Sequence, residues 1–357
     1  MDAARQSWRT AMQEEIWDTP RAVSATLETL TPMIARTAAL AGGRRHAAFV
    51  GRGTSANAGS YGGYLLRHHT SLTAVEVSPD DIGCWDRPID LSHMVVVGLS
   101  QSGRTVEVAR SLALARRHGA VTIAITNDGE SPVAQAADTA LTIAAGTETA
   151  VPATKTFTCQ LVAAAILAQA LGQGDGAEAM HAVPDELQRL CESLENSSER
   201  FAERLVGRRA LMIAADGANR CIANEFALKL QEACYLPAVG MSFGDAVHGP
   251  IAMLNNDFPV VCIGADYPDD GSNAAGDFLR RLNDSPAVDV LGIGSASLVD
   301  QRPPGSMLNI AAPRLPAWLS PLGNVLVSQL ITEALAYASG ISADRPRRLN
   351  KVTIANG

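Results

Sequence analysis

Apolar residues fall into short unbroken runs separated by longer amphipathic stretches, the alternation expected of buried strands and helices. Ala47-Ala48-Phe49-Val50, the run 94–99 (Met-Val-Val-Val-Gly-Leu), Val121 to Thr126 and Ala140 to Ala144 read as strands. Between them, the Gly/Ala/Tyr-rich segment ending at Arg67, the stretch Thr105 to Arg117 and residues 155–171 read as helices. Two more helices precede the first strand, Thr10 to Trp17 and Ala22 to Leu40, with Pro20 and Pro32 where a start or a kink is tolerated. Such an alternation predicts a parallel sheet with helices on both faces, an α/β fold.

The second half repeats the plan at a steady offset of 160-odd residues: Ala210 to Ala214, Phe258 to Gly264, Val288 to Ile293 and Met307 to Ala311 match the four strands in order. An internal duplication is inferred. The loops after matching strands differ. Leu99-Ser100-Gln101-Ser102-Gly103-Arg104-Thr105 joins a strand to a helix with hydroxyls, an amide and a glycine, which suits a phosphate group at a helix N-terminus. The same residues also read as an ordinary N-cap and turn. Its counterpart, Ala265-Asp266-Tyr267-Pro268-Asp269-Asp270, carries carboxylates that would repel an anion.

Composition narrows the classes. A formal charge of −8 and a pI near 5.4 give no electrostatic footprint for nucleic acid or an anionic membrane. No signal peptide or membrane-spanning run is read, so a cytoplasmic protein is expected. The six cysteines, at 84, 159, 191, 221, 234 and 262, have no paired spacing, so neither a metal site nor a disulfide framework is expected, and no organic cofactor is indicated. Of the 29 basic residues 26 are arginine, which singles out Lys155, Lys229 and Lys351: a solvated charge could as well be arginine, whereas an amine that must deprotonate could not.

Many ordered motifs resemble one family. Met12-Gln13-Glu14-Glu15-Ile16, Gly53-Thr54-Ser55, Leu99 to Thr105, Ala145-Gly146-Thr147-Glu148, Thr154-Lys155-Thr156-Phe157-Thr158, Ala227 to Glu232, His248-Gly249-Pro250 and Pro346 to Lys351 are similar to tandem sugar-isomerase (SIS) domain proteins, above all aminotransferase isomerase domains and stand-alone amino-sugar-phosphate deaminases. The resemblance implies two flavodoxin-like subdomains, each a parallel sheet flanked by helices, and a homodimer with a shared active site. It implies that Ser100, Gln101, Ser102 and Thr105 bind a sugar phosphate and that Gly53, Thr54, Ser55, Val151 and Lys229 line the sugar. Glu232 would shuttle a proton between C1 and C2, His248 would open the ring, and Lys351 would contact the open-chain sugar and form an imine at its keto carbon. The expected organisation is a helical segment at 1–45, a first domain at 46–172, a linker helix at 173–200, a second domain at 201–340 and a tail at 341–357 closing over the site.

Three departures bear on specificity: Arg104 where the family has an acidic residue, Ala153 where a serine is common, and Phe243 to Val247 before His248. Asp2 follows Met1 and the first cysteine is Cys84, so an amino-terminal cysteine glutaminase is not expected. The expected reaction is glucosamine 6-phosphate to fructose 6-phosphate and ammonia. The alternatives are another amino sugar phosphate or glycated amino acid phosphate, an ammonia-dependent aminotransferase, and a sugar-phosphate sensor without catalysis.

Overall fold

The structure, a computed structural model, describes residues 10–82, 89–172, 176–265, 274–283, 288–294, 298, 300, 307–311 and 315–351. Cys84 and the acidic loop 266–270 lie outside them. Two compact units interleave along the chain: a first-sheet unit of Asp18–Glu148, Ala153–Pro184 and Asn350–Gly357, and a second-sheet unit of Met1–Trp17, Thr149–Pro152 and Asp185–Leu349.

The first-sheet unit holds β1 (His46–Val50), β2 (Thr73–Val77), β3 (Met94–Leu99), β4 (Val121–Thr126) and β5 (Thr139–Thr142), all parallel, in the order β2-β1-β3-β4-β5. β3 and β4 are covered on both faces, which is why they read as unbroken apolar runs. One face carries α5 (Pro79–Ile82), α6 (Val106–Arg117) and α7 (Pro132–Gln135), packed through Ile82, Val108, Leu112 and Val133 onto Ala48, Val50, Val96 and Ala124. Further helices are α2 (Thr19–Leu30), α3 (Ile34–Ala41), α4 (Thr54–His69) and α8 (Lys155–Leu171), with α2, α3 and α4 all packed against α8. α4 approaches so closely that a Cβ on Gly62 would lie 2.5 Å from the Phe49 ring. The single helix expected over 22–40 is two, joined by a 3-10 turn at Thr31–Met33, because Pro32 lacks the N–H that an α-helix needs there.

The second-sheet unit repeats the arrangement. β6 (Leu211–Ala215), β7 (Ala238–Met241), β8 (Val260–Gly264), β9 (Val290–Gly294) and β10 (Leu308–Ala311) are parallel in the order β7-β6-β8-β9-β10. Its helices include α1 (Ala11–Trp17), α11 (Arg220–Cys234), α12 (Phe243–Val247), α13 (Ala274–Asn283) and α14 (Ser320–Ala338), the last almost wholly buried. Where one helix is expected at 173–200 there are two, α9 (Ala177–His181) and α10 (Val183–Leu205), and residues 173–175 lie outside the described residues. The sequence pattern shows neither β2 nor β7. Both are edge strands, with one buried residue in β2 and none in β7, so neither needs an apolar run.

Candidate functional site

In a sheet ordered 2-1-3-4-5 the crossovers change face between β1 and β3, opening a crevice beyond the carboxyl ends of those strands. The loop after β3 forms one wall. Ser100 is buried and its N–H donates to Ile125 O at 3.1 Å, Asn127 N–H donates to Gln101 O at 3.1 Å, and Val133 N–H donates to Gly103 O at 3.0 Å. The loop is thereby sewn to the end of β4 and to α7. Gly103 turns through φ +65°, a conformation that disfavours side chains. Ser100 Oγ and Thr105 Oγ1 share a hydrogen bond of 2.8 Å.

Thr105 is the N-cap of α6, yet its side chain makes no capping bond. Ala109 N–H donates to Thr105 O at 3.1 Å, so the N–H groups of Val106, Glu107 and Val108 precede the helical ladder and are available to an anion. Arg104 is exposed and pairs with no carboxylate among the described residues. Across the crevice, Gly53 at φ +52° is the N-cap of α4. Thr54 opens that helix, and buried Ser55 accepts at Oγ from Gln160 Nε2 at 3.1 Å. Arg52 holds Asp80 at 2.6 Å and stands 3.9 Å from Glu107.

The second sheet offers no equivalent at its described positions. Val50 pairs with Gly98 in the first sheet and Ala215 with Ile263 in the second; laying the one terminal pair over the other sets Ala265 at the position of Ser100 and Asp216 at that of Gly51. Asp216 Oδ1 accepts the Phe243 N–H at 3.1 Å. A missing hydroxyl and an added carboxylate both disfavour an anion.

Each lysine is bound to a carboxylate. In the first-sheet unit Lys351 Nζ donates to Glu148 Oε2 at 2.5 Å. Burial pushes the Glu148 carboxyl upward, but the Lys351 charge and the bonds from Lys351 and Thr156 outweigh it and hold the group below the ordinary carboxylate range. Lys155, the first residue of α8, is buried and donates to Asp18 Oδ2 at 2.8 Å, so it is no surface residue. The Arg21 hydrogen bond, outweighing partial burial and joined by Lys155, lowers Asp18.

In the second-sheet unit one face of α11, over two successive turns, carries Glu225, Lys229 and Glu232. Lys229 Nζ lies 2.5 Å from Glu232 Oε2 and 3.4 Å from Glu225 Oε1, with Glu232 the most exposed of the three. Burial opposes the Lys229 charge, but the two carboxylates prevail and raise the amine above the usual lysine range. The Lys229–Glu232 pair follows from i,i+3 spacing; Glu225, at i,i+4, is legible in the same way and completes the cluster. His248 is exposed just beyond α12, followed by Gly249 at φ +138°. Val151 donates its N–H to Asp344 O at 3.0 Å, and its loop is held by the buried carboxylate of Glu15, which accepts from the Thr149 and Ala150 N–H groups.

A doubly wound α/β sheet, built twice, with one polar strand-to-helix turn suited to an anion, is the class defined by fold and loop. Residues 42–170 match the SIS domain, and the chain belongs to the SIS-domain proteins. It is 30% identical over 348 residues to glutamine–fructose-6-phosphate aminotransferase of Pyrobaculum aerophilum, covering 95% of this chain and 56% of that protein. The chain thus spans little more than half the length of this curated relative. The C-terminal domain of glucosamine-fructose-6-phosphate aminotransferase from Francisella tularensis is similar with a TM-score of 0.82 at 22% identity, over 97% of this chain and all of that one. Glucosamine-6-phosphate deaminase from Thermotoga maritima is similar at 0.77 and 20%, over 97% and all of it. At these identities the likeness of the two structures is one of fold. Among the described residues no helix is long and apolar enough to cross a membrane, and no group of three or more His, Cys, Asp or Glu could hold a metal ion.

Proposed function

We propose that the chain is a phosphosugar enzyme converting glucosamine 6-phosphate and water to fructose 6-phosphate and ammonia. The observation that carries this reading is that one compact unit contains both an uncapped helix N-terminus lined by Ser100 and Thr105 and an amine, Lys351, fixed by a buried carboxylate. The first suits a phosphate, the second a carbonyl or imine carbon. Ser100, Gln101, Ser102 and Thr105 hold the phosphate, while Gly53, Thr54, Ser55, Val151 and Lys229 contact the sugar.

His248 opens the ring, a task suited to a group that titrates near neutrality. Glu232 removes the C2 proton of the open-chain aldose and returns it at C1, while a proton passes from the C2 amino nitrogen to O1, leaving an alcohol at C1 and a neutral imine at C2. Lys351 adds to C2 and ammonia departs; water then frees the ketose. The reading includes a homodimer in which exposed His248 serves the neighbouring copy. Incubation with glucosamine 6-phosphate should release ammonia and fructose 6-phosphate in equal amounts. Release only from another amino sugar phosphate or a phosphorylated glycated amino acid moves the substrate; no release from any of them overturns the enzyme.

A further inference from the structure

We propose that Glu148 is the positioning residue for Lys351, anchoring the amine to the N-terminus of α8 and keeping a negative charge opposite it throughout the imine step. This inference rests on the reaction proposed above. The Glu148 side chain is fully buried and takes five donors. Oε1 accepts from Thr154 N–H at 3.0 Å, Thr154 Oγ1 at 3.2 Å and Thr156 N–H at 3.0 Å. Oε2 accepts from Thr156 Oγ1 at 2.7 Å and Lys351 Nζ at 2.5 Å.

Those bonds give the carboxylate two duties. α8 has no cap from the side chain of its own N-cap residue, Thr154, so Glu148 satisfies the first-turn N–H of Thr156 together with the N–H of Thr154 itself, and sits at the positive end of the helix dipole. α8 in turn is buried along nearly its whole length, which makes it a rigid reference for whatever Glu148 holds. Lys351 is therefore located against the core, although its own segment is exposed at Asn350.

The imine step explains why a carboxylate is needed. The Lys351 ammonium passes one proton to the neutral imine nitrogen at C2. The freed amine forms its bond to C2 and passes a second proton to the amino nitrogen already there, whose bond to C2 then breaks as ammonia leaves. One positive charge, first on the ammonium and finally on the protonated Lys351 imine, faces Glu148 from start to finish, so the carboxylate stabilises the charged states without itself taking a proton. The depressed Glu148 carboxyl agrees with that role.

The test compares wild type, Glu148→Gln and Glu148→Asp in the full chain, reading kcat and KM for glucosamine 6-phosphate, and borohydride trapping of Lys351 with fructose 6-phosphate by peptide mass. Glutamine keeps an oxygen for Thr154 and Thr156 but loses the charge. The expected result is a folded variant with KM within about 3-fold of wild type, and kcat and trapping reduced at least ~10-fold, the scale of a lost charge-assisted contact made in the transition state. Aspartate keeps the charge but withdraws it by one methylene, and should lower kcat at constant KM; it decides the matter if Glu148→Gln does not fold. Wild-type kcat and trapping in a folded variant overturn the role of Glu148 alone. A wild type that neither releases ammonia nor traps Lys351 overturns the reaction, and the role with it.

Discussion

At Gly103 the loop has no room for a side chain. A Cβ there would lie 2.0 Å from Ser131 Oγ and 2.8 Å from Thr126 Oγ1, on a backbone at φ +65°. Gly103→Ala should therefore destabilise the first-sheet unit by about 2–4 kcal/mol, combining left-handed strain of ~1–2 kcal/mol with the displacement of Ser131 from its cap on α7. It should also raise KM for the phosphosugar, because the loop carries the hydroxyls. Urea denaturation and steady-state kinetics check this; wild-type values for both would show that the loop tolerates the change. The glycine between Ser102 and Arg104 is legible in the sequence, but its contact with Ser131, 28 residues on, is not. The scarcity of lysine does point to three constrained amines. Their partners, Asp18, Glu225 with Glu232, and Glu148, are near in sequence only for Lys229. Arg347 and Arg348 lie within four residues of Lys351 in sequence, yet the charge bonded to Lys351 is a carboxylate, and Arg347 stacks on Tyr235 at 4.2 Å.

Among the elements, long buried helices and central strands are readable because burial writes itself as apolar runs. α8 begins and ends where the pattern says, at 155 and 171. Edge strands β2 and β7 are invisible for the converse reason. Helix ends are intermediate, since their caps are supplied from afar. Asp344 accepts from Ala11 N–H at 2.9 Å and Met12 N–H at 2.8 Å, capping α1 across more than 300 residues. Asp344→Ala should cost about 1–2 kcal/mol, the range for a lost charged cap. Hydrogen exchange over 11–17 should rise while exchange in β6 stays slow; unchanged protection of α1 would show that packing alone holds it.

For the whole molecule, the paired charges define a pH window. Glu148 and Asp18 titrate below their ordinary values of 4.5 and 3.8 when folded, so their contribution is complete above those values and drains away as pH falls below them. Lys229 titrates above its ordinary 10.5, so its contribution is complete below that value and is lost as pH rises past it. Urea midpoints should therefore form a plateau between the carboxylate and lysine ranges and fall on both sides. Glu148→Gln should flatten the acid limb, and an unaltered limb would mean that other carboxylates govern it.

The sequence by itself determined the α/β class, the duplication, the strand-to-helix turn at Ser100 to Thr105 and the lysines worth asking about, because burial and backbone geometry impose local periodicity and residue type. Only the tertiary structure decided which carboxylate each lysine meets, how α1 and α8 are capped, and how the two compact units draw their segments from along the chain. Those pairings join positions up to 333 residues apart, and a contact between distant residues constrains neither of their neighbourhoods in a pattern that a single chain displays.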